Sequence, residues 1–146
     1  MKKVAILGKL PTKFKAPFDD KDWDIWTCNY HQEGLPRISL WFDIHANNPN
    51  PIADITRANY PFEDIEEMLG GQYINNSFSY MIAYAVYKGY EEIALYGAQF
   101  LNDQERRTGQ FFNAREMIMF AKGRGIKVTA PYDSIMLQEY ERYGGK

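Results

Sequence analysis

The residues best suited to chemistry follow short apolar segments of the chain. The first group comes directly after the apolar segment at 4–7 and consists of Gly8, Lys9, Leu10, Pro11 and Thr12. A glycine behind a buried strand lets the backbone approach a ligand closely. Lys9 can neutralise a phosphate, and Thr12 can donate its hydroxyl. The group matches neither G-x-G-x-x-G nor the Walker motif, so it indicates either a phosphate site or a tight turn with a solvated lysine.

A second polar group lies where a helix is predicted to begin. Its residues are Asn75, Asn76, Ser77 and Ser79, and the apolar residues of a buried helix surround and follow them. Helix N-termini present unpaired N–H groups and a partial positive charge, which together bind phosphate groups well. Ser77 also has the residue type of an N-cap, so capping with nothing bound is the alternative interpretation. Because capping and binding can coexist, we predict a binding site here.

Two more candidate strands end in small or polar residues. Asn29 follows the segment WDIWTC, and Gly97 and Gln99 follow the segment EIALY. Between Gln99 and the next predicted helix, Arg106 and Arg107 lie in a polar stretch and are candidates to close over an anionic ligand as a lid. A solvated loop is the more common meaning of such a run of charges.

The two histidines are weaker candidates. His45 ends an alternating segment and has the same parity as Asp43, so it is a candidate acid, base or ligand contact. A histidine hydrogen-bonded within a loop is the simpler interpretation, and His31 lies in a loop as well. The spacing of histidines and carboxylates does not match a metal-ligand pattern, so we expect no metal site. The absence of a G-x-S-x-G sequence argues against a Ser-His-Asp hydrolase.

The order of predicted elements brings these groups together. Strands are predicted at 4–7, 23–28, 38–45, 92–97 and 126–131, with a further short strand at 72–75. Helices are predicted at 60–71, 77–90, 108–125 and 134–144. Strands that alternate with helices are typical of an α/β fold with a mainly parallel sheet. Ligands of such a sheet bind beyond the carboxyl ends of the strands, which is where the candidate groups lie.

Composition limits the classes of function. We expect one domain over 1–146, because this length is typical of a single domain. The net charge of −2 argues against binding to duplex nucleic acid. Cys28 is the sole cysteine, so no intrachain disulfide is expected. The first apolar segment is too short for a signal peptide, and the longest, MIAYAVY, is too short to span a bilayer. We therefore expect a cytoplasmic protein without a membrane partner.

The helix predicted at 108–125 has more apolar surface than one buried stripe requires. Met117, Met119 and Phe120 provide the excess. A homo-oligomer interface explains this surface, and a thick core explains it equally well.

Several segments resemble known families. The order VAILGKLPT, WTCN and YINNSFSYMIAYAVYKGYEEIALYGAQF is similar to the nucleotide-binding half of bacterial CMP-sialic acid sialyltransferases and of pterin-pyrophosphokinase-like Rossmann proteins. WFDIH, YPFEDIEEMLGG and GRGIKV resemble segments of small phage-encoded Rossmann-like proteins, and that similarity extends over nearly the whole chain. The resemblance implies a Rossmann-like three-layer sandwich with a mainly parallel sheet. It also implies a nucleotide surrounded by Gly8–Thr12, Asn29, Asn75–Ser79 and Gly97–Phe100.

The implied function is the binding of a nucleotide or nucleotide-derived ligand. In an enzyme, the chemistry would be glycosyl or nucleotidyl transfer, or cleavage at the phosphate. Leu10 stands where the families have a second glycine, and Gln99 stands where they have an acidic residue. Two alternatives stay open: a non-catalytic sponge for a host signalling nucleotide, which Gln99 favours, and a protein-interaction module with a vestigial site. No cofactor is expected in any of them.

Overall fold

The protein is a Rossmann-like α/β sandwich built on a parallel sheet. The computed structural model describes residues 1–47, 49–98, 108–132 and 134–145. Within them the strands are β1 (Lys3–Leu7), β2 (Trp23–Cys28), β3 (Leu40–Asp43), β4 (Ile55–Thr56), β5 (Glu92–Tyr96) and β6 (Lys127–Thr129). The helices are α1 (Phe62–Leu69), α2 (Ser77–Tyr87) and α3 (Gln110–Gly123). Every strand pair in the described part of the chain is parallel, which confirms the predicted fold class.

The order of the strands creates a crevice in the middle of the sheet. Across the sheet the order is β4-β3-β2-β1-β5-β6. The chain therefore moves outward from β1 to β4, and then returns to the other side of β1 to form β5 and β6. Leu7 pairs with Tyr96, so the carboxyl ends of β1 and β5 lie side by side. This is the topological switch point, where open parallel sheets bind their ligands.

The main core lies on the face of the sheet that the helices cover. α2 is buried on nearly all sides, as its apolar sequence predicts, and it packs against β1 and against both other helices. Trp26, Phe42, Tyr84 and Tyr90 form an aromatic cluster whose ring centroids lie 5.1 to 5.6 Å apart. The buried stripe of α3 lies in this core and consists of Phe111, Ala114, Met117, Ile118 and Ala121. Met117 is therefore part of the core, whereas Met119 is exposed.

A smaller apolar cluster covers the opposite face of the sheet. It consists of side chains from β1, β2 and β5 together with Ala16. Part of the cover is the 3-10 helix Pro11–Lys15, which begins with Pro11 and Thr12, the last two residues of the first candidate loop. That loop is therefore fixed between the sheet and its second layer.

Two predictions of secondary structure are wrong. The segment at 134–144 is not an α-helix: a 3-10 helix spans Ser134–Leu137, and 138–145 is not helical. Met136 is fully buried, whereas the side chains beyond 138 are exposed, so no apolar face supports a longer helix. The segment at 72–75 is not a strand either, because its backbone bonds the side chain of Asn113 instead of a neighbouring strand.

Two smaller corrections concern local details. The strand β4, which pairs with β3, lies where the sequence predicts neither a strand nor a helix. The N-cap of α2 is Asn76 rather than Ser77. The Asn76 Oδ1 atom accepts a hydrogen bond from the Ser79 backbone N–H at 3.0 Å. Ser77 is the first residue of the helix.

Candidate functional site

A cavity of about 440 Å³ lies at the carboxyl ends of the strands, over the switch point. Nine of the residues predicted for the site line it: Gly8, Lys9, Leu10, Asn29, His45, Asn75, Asn76, Ser77 and Gly97. They come from segments far apart in the sequence and converge because the parallel strands end at the same edge.

Gly8 and Gly97 form the tightest contact of the site. The Gly8 backbone N–H donates to the Tyr96 carbonyl at 2.7 Å, and the Leu10 N–H donates to the Gly97 carbonyl at 3.0 Å. A Cβ atom on Gly8 would lie 2.3 Å from the Gly97 carbonyl oxygen. Gly97 itself has a φ of 73°, a left-handed conformation that favours glycine. The small size of Gly8 therefore lets the chain after β1 pack against Gly97, after β5. Gly8 also lines the cavity.

Thr12 and Lys13 bond to neighbouring loops at the edge of the cavity. The Thr12 hydroxyl oxygen accepts a hydrogen bond from the Gly97 N–H at 2.9 Å. Lys13 is buried, and its ammonium group donates to the His31 carbonyl at 3.0 Å. Thr12 and Pro11 are not among the cavity-lining residues. Pro11 begins the 3-10 helix, and Thr12 bonds to Gly97, so both residues stabilise the shape of the loop. Their contact with a ligand stays a prediction.

Asn29 has an unusual backbone conformation at the end of β2. Its φ is 56°, which places it in the left-handed region, where asparagine is among the better tolerated side chains. Its carbonyl accepts a hydrogen bond from the Trp41 indole N–H at 2.7 Å. Its side-chain oxygen lies 3.5 Å from the Ser77 hydroxyl across the cavity. Strained residues of this kind concentrate at functional sites, so the observation supports the choice of Asn29 from the sequence.

A network of asparagines fixes the N-terminus of α2. The buried Asn113 side chain on α3 accepts hydrogen bonds from the Asn75 backbone N–H at 3.0 Å and from the Asn76 side chain at 3.2 Å. The Asn76 amide also donates to the Ser79 hydroxyl at 2.9 Å. Ser79 is fully buried and is not among the cavity-lining residues. The network directs the positive end of the helix dipole towards the cavity wall that Ser77 forms.

His45 is paired with a buried carboxylate. Its Nδ1 atom lies 2.7 Å from Asp43 Oδ1, and Asp43 also accepts hydrogen bonds from the backbone N–H groups of Asn50, at 2.7 Å, and His45, at 3.2 Å. Burial alone would raise the pKa of Asp43. The hydrogen bonds from Asn50 and His45 outweigh it and hold that pKa below its usual range.

The Asp43 contact defines what the His45 ring can do. The imidazole side chain is 60% exposed, and it lines the cavity. Since Nδ1 faces the carboxylate, Nε2 is the ring nitrogen left to contact a ligand. An ionised Asp43 favours the tautomer with its proton on Nδ1, so Nε2 is suited to accept a proton or a hydrogen bond. His45 is therefore both a histidine that is hydrogen-bonded near its own position in the chain and a residue of the cavity wall.

The cavity favours an anion. Lys9 and Arg57 line it together with the two histidines, and none of its described lining residues is an aspartate or a glutamate. Burial lowers the pKa of His31, and the nearby charges of Lys13 and Lys9 lower it further. Burial and the neighbouring positive charges therefore both favour the neutral form of His31. This distribution contrasts with the net negative charge of the whole chain.

Cys28 also lines the cavity, but it is poorly suited to act as a nucleophile. Burial is the main cause that raises the pKa of its thiol to about 12, and the charge of Asp43 adds to the effect. The thiolate is the reactive form of cysteine, so this side chain serves as an apolar part of the wall.

Sequence reasoning missed several residues of the cavity. Arg57 lies just after β4, the strand that was not predicted, and Tyr80 lies on the first turn of α2, where its spacing fits a core residue. Neither residue carries a motif that marks it in the sequence. The predicted contacts Gln99, Arg106 and Arg107 lie outside the described residues. Within the described residues, no group of three or more His, Cys, Asp or Glu side chains is arranged to hold a metal ion.

The strand order and the cavity together define a Rossmann-like domain with a ligand-sized cleft at its switch point. No helix in the described part of the chain is both long and apolar enough to cross a membrane. No family model matches the sequence, and no curated protein matches it either.

Solved structures of sialyltransferases share the fold. A structure of the sialyltransferase CST-II with trisaccharide acceptor and CMP matches with a TM-score of 0.50 and 17% identity, covering 88% of this chain and 80% of that one. A mutant of the α-2,3/8-sialyltransferase CstII matches with a TM-score of 0.51 and 17% identity, covering 88% and 81%. A third structure, of CstII from Campylobacter jejuni with a substrate analogue, has a TM-score of 0.49, 18% identity and coverage of 89% and 80%. At this identity the likeness to the first two structures shows the Rossmann-like fold.

Proposed function

We propose that this protein binds a nucleotide or a nucleotide-derived ligand in the cavity over the β1–β5 switch point. The main support is the charge of the cavity: Lys9, Arg57 and the start of α2 surround a space whose described lining has no carboxylate. A phosphate group suits this environment, because it is the part of a nucleotide that carries negative charge. One fold neighbour, the sialyltransferase CST-II, was solved with CMP, which agrees with the proposal.

The cavity also offers groups for the rest of a nucleotide. We place the phosphates near Gly8, Lys9 and the Ser77 end of α2. Asn29 and His45, whose amide and imidazole groups line the same cavity, are placed at the ribose or the base. The apolar part of the wall includes Ile44, Ile74 and Phe78 and is suited to the face of a base.

For catalysis, the Asp43–His45 pair is the feature that supports turnover. A histidine oriented by a buried carboxylate can accept a proton from an attacking hydroxyl or water. The corresponding reaction class is transfer or cleavage at a nucleotide sugar or a nucleotide phosphate, as in the families that the sequence resembles. Asp43 would then be a positioning residue, because it acts through His45. We also propose that the protein is encoded by a phage, because its sequence resembles small phage-encoded Rossmann-like proteins.

A non-catalytic sponge is the second candidate. It uses the same cavity and releases its ligand unchanged. Gln99, in place of the acidic residue of the sialyltransferases, is the observation that favours it. An interaction module is the third: Phe112 and Met119 are exposed apolar side chains on α3 and provide a surface for self-association.

A thermal-shift panel tests the proposal. It contains CMP, UMP, AMP, GMP, ADP-ribose, sugar nucleotides and cyclic dinucleotides. A ligand at 100 times its Kd adds about 2.7 kcal/mol to the free energy of unfolding, so binding at millimolar concentration is readily detected. Arg57→Gln and Asn29→Ala should each reduce the shift. Arg142→Gln changes an exposed arginine outside the cavity and should leave the shift unchanged.

The same panel separates the candidates. Mass spectrometry of the ligand after long incubation shows a changed ligand for an enzyme and an unchanged one for a sponge. A panel in which no member shifts the melting temperature contradicts nucleotide binding and favours the interaction module. A shift that survives both Arg57→Gln and Asn29→Ala contradicts the placement of the site.

A further inference from the structure

A second cavity lies beside the first and shares part of its wall. Its volume is about 190 Å³, and it is lined by α1, the start of α2 and the segment at 71–74. Arg57, Ile74 and Tyr80 line both cavities. A ligand in the first cavity that reaches past these three residues would enter the second space, whose volume suits one ring-shaped group.

Three aromatic rings that pack against one another form part of the wall of this second cavity. The Tyr80 ring lies 5.1 Å from that of Tyr60 and 5.8 Å from that of Phe62, nearly edge-on in both cases. The Tyr60 hydroxyl donates a hydrogen bond to the Tyr80 carbonyl at 2.7 Å, which fixes the first turn of α2 against the segment before α1. Preorganised aromatic walls bind the faces of rings at little cost in conformational entropy.

The second cavity differs from the first in having a carboxylate in its wall. Glu66, on α1, is the one carboxylate among its described lining residues, whereas the described lining of the first cavity has none. A carboxylate accepts hydrogen bonds from hydroxyl or amino groups, and its charge repels a phosphate. The second cavity is therefore suited to the part of a ligand that carries hydrogen-bond donors and no phosphate.

Tyr80 and Arg57 mark the border between the two environments. Burial is the main cause that raises the pKa of the Tyr80 hydroxyl; the charge of Arg57 opposes this rise, and that of Glu66 adds to it. Both charges therefore act on this hydroxyl, which stays protonated and can donate. Among the residues that the structure describes, neither the Tyr80 hydroxyl nor the Glu66 carboxylate has a hydrogen-bond partner. Both groups are available to a ligand.

We propose that the ligand has two ring-bearing parts joined through an anionic group, and that the second cavity holds the part without phosphate. The anionic group lies at Arg57, and the second ring donates to Glu66 and accepts from Tyr80. The sugar of a sugar nucleotide and the second base of a dinucleotide both have this chemistry. The inference rests on the proposed nucleotide site in the first cavity.

Isothermal titration calorimetry tests this inference with matched probes. For each base, a sugar nucleotide (ADP-glucose, CDP-glucose, GDP-mannose or UDP-glucose) is compared with the nucleoside diphosphate of that base, and a dinucleoside monophosphate (ApA, CpC, GpG or UpU) with the nucleoside monophosphate. Each control mononucleotide therefore carries as many phosphates as its two-ring probe. The best two-ring probe should bind at least about tenfold more tightly than the mononucleotide of the same base. Whether the sugar or the dinucleotide series shows this advantage identifies the second ring.

Substitutions at two adjacent positions test whether the tighter binding of the two-ring probes arises in the second cavity. Glu66→Gln should reduce it to less than about threefold and leave the affinity for the mononucleotide unchanged. Glu67→Gln is the control: it makes the same change one position along α1, at an exposed residue that lines neither cavity. This control should keep the full advantage.

The contradicting results are distinct. If mononucleotides bind and the two-ring probes bind no more tightly, the second subsite is wrong while the proposed function stands. If Glu66→Gln leaves the advantage intact, the second ring lies elsewhere. If neither the mononucleotides nor the two-ring probes bind, both the proposed function and this inference are wrong.

Discussion

Replacing Gly8 by alanine tests the close packing of the two loops at the switch point. The added Cβ would lie 2.3 Å from the Gly97 carbonyl oxygen and 3.0 Å from the Ala98 Cβ, whereas ordinary contacts begin at 3.4 Å. The carbonyl must therefore move by roughly 1 Å. Gly97 resists this movement, because its N–H is bonded to Thr12 and its carbonyl to the Leu10 N–H.

The expected loss of stability follows from this overlap. Overpacking of a well-packed site costs about 1–3 kcal/mol. In a domain of this size, Gly8→Ala should therefore lower the melting temperature by about 3–10 °C, measured by circular dichroism or scanning calorimetry. Because the displaced loops line the cavity, the stabilisation that a bound nucleotide gives should decrease as well.

Gly123→Ala is the matched control for this substitution. Gly123 is the last residue of α3, and a Cβ at this position meets no atom within 4 Å. Alanine is favoured over glycine in a helix by about 0.5–1 kcal/mol, so this variant should be as stable as the wild type or slightly more stable. If Gly8→Ala melts at the same temperature as Gly123→Ala, the reasoning about the contact between the two loops is refuted.

Three further predictions concern the residues that shape the site. Asp43→Asn should cost about 1–3 kcal/mol at pH 7, because buried donors lose a charged acceptor. Since folding lowers the pKa of Asp43, its stabilisation is present above the unfolded value of about 4 and is lost as the pH falls through the folded value. The deficit measured by urea unfolding should therefore be smaller at pH 3 than at pH 7, and an equal deficit at both contradicts this. Asn76→Ala should cost about 1 kcal/mol of unfolding free energy, because α2 loses its N-cap; an unchanged urea midpoint contradicts the capping role. Asn29→Ala should lower the thermal stability more than Asn29→Gly, because glycine adopts the observed φ of 56° without strain; the reverse order contradicts that conformation.

Much of the site could be predicted because strand ends are visible in the sequence. The apolar segments at 4–7 and 92–97 become neighbouring strands, so the small and polar residues after them meet at one edge of the sheet. Asn29 and His45 were chosen by this rule and Ser77 by its place at a predicted helix start, and all three line the cavity. The positions of these three residues depend on where strands end and helices begin, and a single sequence shows these boundaries well.

The residues that were missed depend on tertiary contacts instead. Arg57 reaches the cavity because β4 adds two residues to the edge of the sheet, and so short a strand leaves no periodic signal. Tyr80 has the spacing of a core residue, and the hydrogen bond from the Asn50 N–H to the buried Asp43 carboxylate joins residues seven apart in the sequence. The helix predicted at 134–144 failed for the same reason, since the chain beyond Leu137 has no surface to bury against.

The position of a bound nucleotide tests the central claim most directly. In an amide NMR titration with the tightest nucleotide of the panel, the largest shifts should fall on Gly8, Asn29, Ser77 and Gly97, around the β1–β5 switch point. The amides of Gly89 and Gly125, at the opposite ends of the strands, should not move. Shifts concentrated at that opposite end, or a titration without shifts at the switch point, would contradict a nucleotide site in this cavity.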